Sequence, residues 1–582
     1  MLLVTLALAA PLPPPTALPR SRDVFKHASA AGGAVAGDGP PPPPHAADGW
    51  DVTHYALDVR IDPAAPLVTG RATIEATRVG TGDLLVHANG PVIGEVRVDG
   101  AVVTPTVGRD GLLLAPAGGS TVVDIAWTYA AAAPNGIQWG RDVVFSFHEP
   151  NGARTWLPVH DHPADKATLA WIITAPDEWV VAANGVLESA ESADGWTTWR
   201  YTMDTPIATY LMVVHLADYV VTESGDDIPI YTWAYRGREA EAAESFAETA
   251  EMLTLFQEMY GAYPFPSYGN AMAPFGGAME HTTCVTFSDE LVGTEYAELV
   301  NAHELGHHWW GDNVTLGDWA DIWLNEGFAT YTELLWYEHR FGAEGRVAYA
   351  AWLAESFFEW QDLEGQFPVY DPLYMWGGVV YDKGGLVVHM LRGVLGDDVF
   401  FEALRAYEEE FRLGTAVTAD LQASFQRSTG EDLDWFFDTW VYGVGEPVYT
   451  WGWAARRGGG DWQLDLQIAQ DLPDHHMRVP MRVTYADGTV EDVSVMVEGA
   501  ETRVSLCRDV EPVSVELDPE LWVLRAGEVT VDIAAAAGVC GDAERAAPDA
   551  PVACGCATGS PAGGAAAILA AAVLARRRRA RP

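Results

Sequence analysis

Two histidines four positions apart with a glutamate beside the first, His303-Glu304-Leu305-Gly306-His307, follow the stretch Ala297 to Ala302. On a helix, positions i and i+4 share a face, so the two imidazoles can converge on one metal ion while Glu304 sits close enough to act on a water at that metal. Taken alone, the five-residue pattern also fits surface histidines on an acidic helix. A zinc site that does catalysis needs three protein ligands and an open position, and a carboxylate from a second helix commonly completes it. Glu326, inside Trp323-Leu324-Asn325-Glu326-Gly327-Phe328-Ala329, follows His307 after 18 intervening residues. That gap fits a helix end, a loop from Gly311 to Asp318, and a return helix antiparallel to the first. Glu333, seven positions beyond Glu326, lies two turns along the same face. It is placed to orient a ligand histidine through a hydrogen bond, or else it is an ordinary helix-surface carboxylate. The expectation is one Zn2+ per chain, held by His303, His307 and Glu326, with Glu304 as the base.

The elements around this stretch separate by periodicity. From Asp51 to about Thr222, apolar and polar residues alternate, as at Tyr55, Leu57, Val59 and Ile61, which is the period of half-buried strands. From about Ile228 to Tyr442 the period becomes helical, with Phe246, Ala250, Leu253 and Phe256 on one side of Ala240 to Tyr260. After Glu446 alternation returns at Trp462, Leu464, Leu466 and Ile468, and an Asp487-Gly488 turn separates two strand-like runs. The fold class expected is multidomain α+β. An N-terminal β domain spans 48–222, a mainly α catalytic domain 223–445 and a small C-terminal β-sandwich 446–530. Residues 1–47 read as a signal-like apolar run, Leu2 to Ala10, and a Pro/Gly-rich linker, although no Lys or Arg precedes that run. Residues 531–582 read as a linker and tail, in which Cys554-Gly555-Cys556 precedes an apolar run from Gly563 to Ala575 and the arginines Arg576 to Arg579.

Composition excludes some functions. With 34 Lys+Arg against 82 Asp+Glu, a net charge of −48, the chain repels nucleic acid phosphates. Hydrophobic residues at 49%, including 23 Trp, rule out a mostly disordered chain. Of five cysteines, Cys507 and Cys540 are expected to pair in an exported protein, Cys554 and Cys556 to belong to the tail, and Cys284 to be a small buried residue rather than a nucleophile. His308 is read as packing or substrate-lining, and His160 and His162 as structural.

These motifs resemble the gluzincin aminopeptidases typified by aminopeptidase N and leukotriene hydrolase. His303 to Ala329 meets that family's metal motif at every essential position, Gly277-Ala278-Met279-Glu280-His281 is close to its exopeptidase motif with His281 in place of the usual Asn, and Tyr381-Asp382-Lys383-Gly384 matches the motif of its catalytic tyrosine. Glu149-Pro150 through Lys166-Ala167, with Asn184-Gly185, is similar to its N-terminal domain, and Asp434 to Pro447 to the end of its catalytic domain. The likeness spans about residues 50 to 450, and the large helical C-terminal domain of many members is not expected within residues 446–582. It implies a saddle-like N-terminal sheet domain and a thermolysin-like catalytic domain. It also implies attack of a zinc-activated water on a peptide bond, with Tyr381 donating a hydrogen bond to the oxyanion. The substrate's terminal ammonium calls for a carboxylate, Glu280 as first choice and Glu149 as second, while Gly277 and Ala278 let an extended peptide backbone approach. The tail resembles the myxobacterial type of C-terminal sorting signal, which implies an exported protein of the cell envelope or medium that meets envelope sorting machinery. The partners expected are therefore peptides with a free N-terminus, and the rival reading is a catalytically silent peptide or surface binding protein.

Overall fold

The computed structural model describes residues 49–130, 135–458, 460–536 and 540. The signal-like segment and the tail lie outside these residues. The chain divides into two units, one of residues up to Glu333 with Glu408–Thr418, the other of Leu334–Tyr407 with residues from Ala419 onward.

In the first unit the alternation near the N-terminus builds an eight-stranded sheet. Its order is Val186–Ala193, Trp196–Ala208, Lys166–Pro176, Trp50–Asp62, Leu67–Arg78, Ser120–Tyr129, Val92–Val98 and Ala101–Val103. Trp50–Asp62 runs parallel to Lys166–Pro176 and antiparallel to Leu67–Arg78. Tyr55, Leu57, Val59 and Ile61 are fully buried, as their spacing requires. Trp50 and Val52 are buried too, in the opposite phase, because an irregularity between Val52 and His54 shifts the register. A four-stranded sheet follows in the order Val180–Ala183, Val214–Ala217, Val143–Phe147, Gly136–Trp139, and its strand ends lead directly to Asn184 and to Glu149.

The third sheet falls in the stretch whose periodicity is helical. Its order is Tyr219–Ser224, Ile230–Tyr235, Tyr268–Ala273, Val285–Ser288, Ala278–Met279. The last three of these are buried at every position, so they carry no period of two, and an apolar run of that length does not separate strand from helix. Beside this sheet lie helices α1 (Thr249–Tyr260) and α2 (Ala297–His307). The expected face of α1 holds at Leu253 and Phe256, whereas Ala250 is exposed and the buried stripe runs instead through Thr249, Met252, Leu253, Phe256 and Tyr260.

Helix α2 is buried on all sides except at Glu298, so its polar groups must find partners inside. Asn301 does this for the helix body: its amide nitrogen donates to Thr249 Oγ1 at 2.9 Å and its oxygen accepts from Tyr268 Oη at 2.9 Å and Asn270 Nδ2 at 3.0 Å. After α2 the chain turns through Gly311 and a short 3-10 turn, Trp319–Asp321, into helix α3, Trp323–Glu364. Buried Lys166 holds that connection, donating to the carbonyls of Asp312, Asn313 and Gly414 at 2.8, 2.9 and 3.3 Å. Burial draws the Lys166 ammonium down to about 7.

Helix α3 continues past Glu333 into the second unit and bends at Gly342, whose φ of +68° interrupts the helical backbone. The second unit adds helix α4 (Asp382–Leu395), most of α5 (Asp397–Phe411), α6 (Thr418–Thr429, from Ala419) and α7 (Asp434–Trp440). Two sheets follow, Glu501–Arg508, Asp461–Gln470, Val448–Gly458, Gly527–Thr530 in one and Val490–Val497, Met477–Tyr485, Pro512–Leu517 in the other. The expected Asp487-Gly488 turn joins two of these strands, with Gly488 at φ +86° and Asp487 accepting from Thr489 N at 2.9 Å. Cys507 and Cys540 form a disulfide, and Cys284 is a buried free thiol.

Helices α2 and α3 meet at Gly306. A Cβ there would lie 2.8 Å from both Cβ and Oγ1 of Thr332, whose hydroxyl is already engaged with Phe328 O and Tyr260 Oη. Gly306→Ala is therefore expected to lower stability by about 2 kcal/mol through overpacking, read as a fall in the unfolding midpoint of the full chain. An unchanged midpoint would mean that the two helices yield freely at this contact.

Candidate metal and peptide site

The α2–α3 contact brings together the residues that the spacing singled out. His303 Nε2 and His307 Nε2 lie 3.0 Å apart, and Glu326 Oε2 is 3.2 Å from the first and 3.3 Å from the second. His303 also meets Glu333, and Gly306 meets Thr332, so the return helix runs antiparallel to α2 as expected. All three side chains are buried. A tetrahedral ion with bonds of about 2.0–2.1 Å would hold its ligand atoms about 3.3 Å apart, close to the 3.0–3.3 Å between these three atoms.

The far sides of the imidazoles determine what faces the centre. His303 Nδ1 is 2.6 Å from Glu333 Oε1, and His307 Nδ1 is 3.2 Å from the carbonyl of Trp310. A carbonyl oxygen only accepts, so His307 Nδ1 carries the proton and its Nε2 lone pair points inward. Glu333 imposes the same tautomer on His303, the role for which its spacing was a candidate. In the metal-free chain, burial draws the His303 imidazole down, but hydrogen bonds to Glu326 and Glu333 outweigh it and hold it up to about 9. Burial raises the Glu326 carboxyl, but His307 and hydrogen bonds from both imidazoles hold it below its usual range. The site thus demands positive charge at its centre, which a divalent cation supplies while leaving both imidazoles neutral. Two neutral imidazole nitrogens and one carboxylate are a donor set suited to zinc.

Two further carboxylates reach this centre. Oxygens of Glu280 and Glu304 and a nitrogen of His307 all lie within 4.8 Å of one another. Burial pushes Glu304 up to about 8 against the pull of His303 and His307. Glu280 is raised by burial, against the pull of His307, with Glu326 adding to the rise. Glu149, at the end of strand Val143–Phe147, is raised well above its usual range by burial and then by Glu280 and Glu326. One oxygen on each of Glu149, Glu280 and Glu304 is buried without a hydrogen-bond partner among the described residues. Buried acceptors of this kind fit a cationic, hydrogen-rich ligand such as an ammonium.

Gly277 and Ala278 lead into Glu280 along the edge strand of the third sheet, where Ala278 pairs with Phe287 on one side only. That edge has room for an added extended strand. Tyr381 is buried at the N-terminus of α4, in the second unit. His308 points away from the metal ligands, its Nδ1 2.6 Å from Tyr263 Oη and its ring stacked on that tyrosine, so it packs the interior. His160 and His162 are buried in the β domain. Sequence reading missed Tyr210, which accepts from Asn325 Nδ2 at 3.0 Å and donates to Gly311 O at 3.3 Å. It also missed the grip of Lys166 on the same loop. Neither had a spacing signal, because Lys166 opens a strand and Tyr210 sits in a 3-10 turn, each more than 100 residues before the segment it holds.

Comparisons with known proteins point the same way. Residues 244–440 match the Peptidase family M1 domain and residues 129–211 the Peptidase M1 N-terminal domain. The chain is 31% identical over 328 residues to aminopeptidase M1-A of Oryza sativa subsp. japonica, covering 52% of this chain and 37% of that protein. It is 28% identical over 408 residues to aminopeptidase N of Streptomyces lividans, covering 63% of this chain and 47% of that one. The chain thus spans less than half the length of these curated relatives. Among solved structures, a mutant M1 zinc metallopeptidase from Deinococcus radiodurans bound to a Tyr-Ser-Ala substrate matches at 26% identity and a TM-score of 0.62, over 68% of this chain and 94% of that one. Legionella pneumophila aminopeptidase A in complex with aspartic acid shares the fold, at 18% identity and a TM-score of 0.72, over 84% of this chain and 60% of that one. Together the matches support peptidase family M1 of the aminopeptidase N type, with an N-terminal β-rich domain and a helical catalytic domain.

Glu333→Ala removes the acceptor that fixes His303. Zinc affinity, measured by competition with a chromophoric chelator, is expected to fall by about 10–100-fold, while Glu304→Gln, which alters no ligand, keeps it within a few-fold. Equal affinities for Glu333→Ala and the parent chain would show that packing alone orients the imidazole.

Proposed function

We propose that this chain is a zinc metallo-aminopeptidase of the M1 type, removing the N-terminal residue from peptides. The observation that carries this reading is the convergence of His303, His307 and Glu326 within 3.0–3.3 Å of one another, beside the buried carboxylates of Glu149, Glu280 and Glu304, each with one oxygen lacking a hydrogen-bond partner among the described residues. Zinc bound by those three residues supplies a Lewis acid for the scissile carbonyl and brings a water into the range where it ionises near neutrality.

The rest of the chemistry belongs to the side chains. Glu304, held up by burial, is a base matched to neutral pH: it takes the proton of the attacking water and returns it to the leaving amine. Tyr381 donates its phenolic hydrogen to the oxyanion. Glu280, with Glu149 behind it, receives the substrate's terminal ammonium, and a carboxylate at that place admits only peptides whose first residue lies against the metal. The edge at Gly277 and Ala278 pairs with the peptide backbone and sets its direction. Peptides with a free N-terminus are therefore the substrates.

The same reading takes the two C-terminal sheets as a small β-sandwich, in keeping with strict alternation of burial along Met477–Tyr485. It takes the chain as exported to the bacterial envelope or medium, which the apolar run Leu2 to Ala10 and the Cys507–Cys540 disulfide support. The Cys554-Gly555-Cys556 tail would be read by envelope sorting machinery, and no helix among the described residues is long and apolar enough to cross a membrane.

On a panel of single-residue chromogenic amides, turnover is expected to vanish with chelator, return with zinc, and be lost in Glu304→Ala, which still binds zinc. Tyr381→Phe should lower kcat by about 100–1,000-fold. Comparable cleavage of N-acetylated and free-amine peptides would contradict the amine anchor, and zinc binding without turnover would favour the silent binding protein. Mass spectrometry of the native C-terminus tests the tail, since an intact Arg581-Pro582 end is incompatible with processing there.

A further inference from the structure

Glu280 sits in a turn, and a turn must be held if a carboxylate on it is to select one substrate register. Within the turn, His281 N donates to Met279 O at 2.8 Å and Cys284 N to His281 O at 2.9 Å. Thr283 adopts φ +64°, the left-handed region that a β-branched residue occupies only when its surroundings impose it. What imposes it lies 98 residues away in sequence, at the end of strand Val180–Ala183. Gly185 N donates to Thr283 Oγ1 at 2.7 Å, and Asn184 Nδ2 donates to Thr282 O at 2.8 Å.

Asn184 is fully buried and uses its remaining capacity on its own domain. It donates to Leu211 O at 2.9 Å and accepts from Val213 N at 2.6 Å and Trp171 Nε1 at 3.4 Å. Gly185 lies at φ +91°, and a Cβ there would stand 2.3 Å from Thr202 O, so the residue that donates to Thr283 can only be glycine. A second tie grips the other side of the turn. Thr286, paired with Met279 across the strand, bonds through one hydroxyl to His281 Nδ1 and to His215 Nε2, each at 2.7 Å, and His215 lies on strand Val214–Ala217. These ties to the turn come from segments that precede the metal helix in sequence.

We propose that Asn184, Gly185 and Thr283 are positioning residues for amine recognition: they clamp the Glu280 turn to the N-terminal β domain and thereby fix the direction of the Glu280 carboxylate. The inference rests on the reading of Glu280 as the ammonium anchor. None of the three touches substrate. Their effect is on where the carboxylate stands, so it falls on substrate binding and on discrimination for a free amine more than on the chemical step.

The test uses the full-length zinc-loaded chain and matched peptides with free and N-acetylated termini. Thr283→Val keeps the shape but withdraws the acceptor from Gly185 N–H. It is expected to raise KM for free-amine peptides about tenfold, the worth of one buried hydrogen bond, with a smaller change in kcat and a lower ratio of free-amine to acetylated kcat/KM. Thr283→Ser, which keeps the hydroxyl and sheds the branch, should restore both. Asn184→Asp, which turns the donor to Thr282 O into an acceptor, should move KM and the ratio in the same direction and serves if the valine variant does not fold. Fewer active molecules with KM and ratio at parent values in both Thr283→Val and Asn184→Asp would overturn the proposal by showing a purely structural contact. Glu280→Ala is measured alongside: if it leaves the ratio unchanged, the anchor reading itself fails, whereas a ratio lost in Glu280→Ala but kept in the clamp variants refutes only the clamp.

Discussion

Four carboxylates, Glu149, Glu280, Glu304 and Glu326, are buried around one pair of imidazoles, each with no more than 3% of its surface exposed. Burial disfavours every one of these charges, and like charges in one low-dielectric space disfavour one another. Only Glu326 is held in its ionised form by the histidines, whereas the other three are raised. An interior so constituted is complete only with cations in it. A divalent ion answers the demand at His303, His307 and Glu326, and on the proposed function a substrate ammonium answers it at Glu280 and Glu149. On that reading the metal site and the amine site are two parts of one charge imbalance, which would account for their closeness around His307.

Such a site holds only on a scaffold that resists expansion, since repulsion among the carboxylates would be relieved by letting water in. The metal helix is enclosed on nearly every side, with Asn301 satisfying its interior polar groups. Gly306 allows the ligand helices to approach to van der Waals contact. Lys166 ties the carbonyls of Asp312 and Asn313, at the exit of that helix, to that of Gly414. Helices hold the candidate ligands, and a short strand and a turn hold the Glu280 carboxylate beside them.

Much of the β architecture was legible because a half-buried strand writes its burial into every second residue. Tyr55, Leu57, Val59 and Ile61 show this, and the phase change at Val52 was not legible because a bulge depends on the partner strand. The strands Tyr268–Ala273 and Val285–Ser288 escaped notice for the opposite reason: buried on both faces, they have no alternation to read. Helical spacing puts Ala250 on one side with Phe246, Leu253 and Phe256, though α1 turns that position outward. The Cys507–Cys540 pair was expected from exported character and the tail, and its two residues do meet.

By itself the sequence picked out the candidate metal ligands and the candidate base, and left Glu333 open between an orienting carboxylate and one on the helix surface. His303, Glu304 and His307 share one helix, Glu326 and Glu333 share the next, and a short loop joins them, so helical periodicity converts spacing into geometry almost without reference to the rest of the chain. Only the tertiary structure decided that Glu280 and Glu149 join that centre, that Tyr210 and Lys166 brace its loop, and that Asn184 and Gly185 grip the Glu280 turn. Those partners arrive from sheets in which neighbours in space are tens to hundreds of residues apart, and no local period records which strand will lie beside which. What the chain writes locally is a metal site, and the long-range strand pairing supplies the buried carboxylates and the turn that surround it.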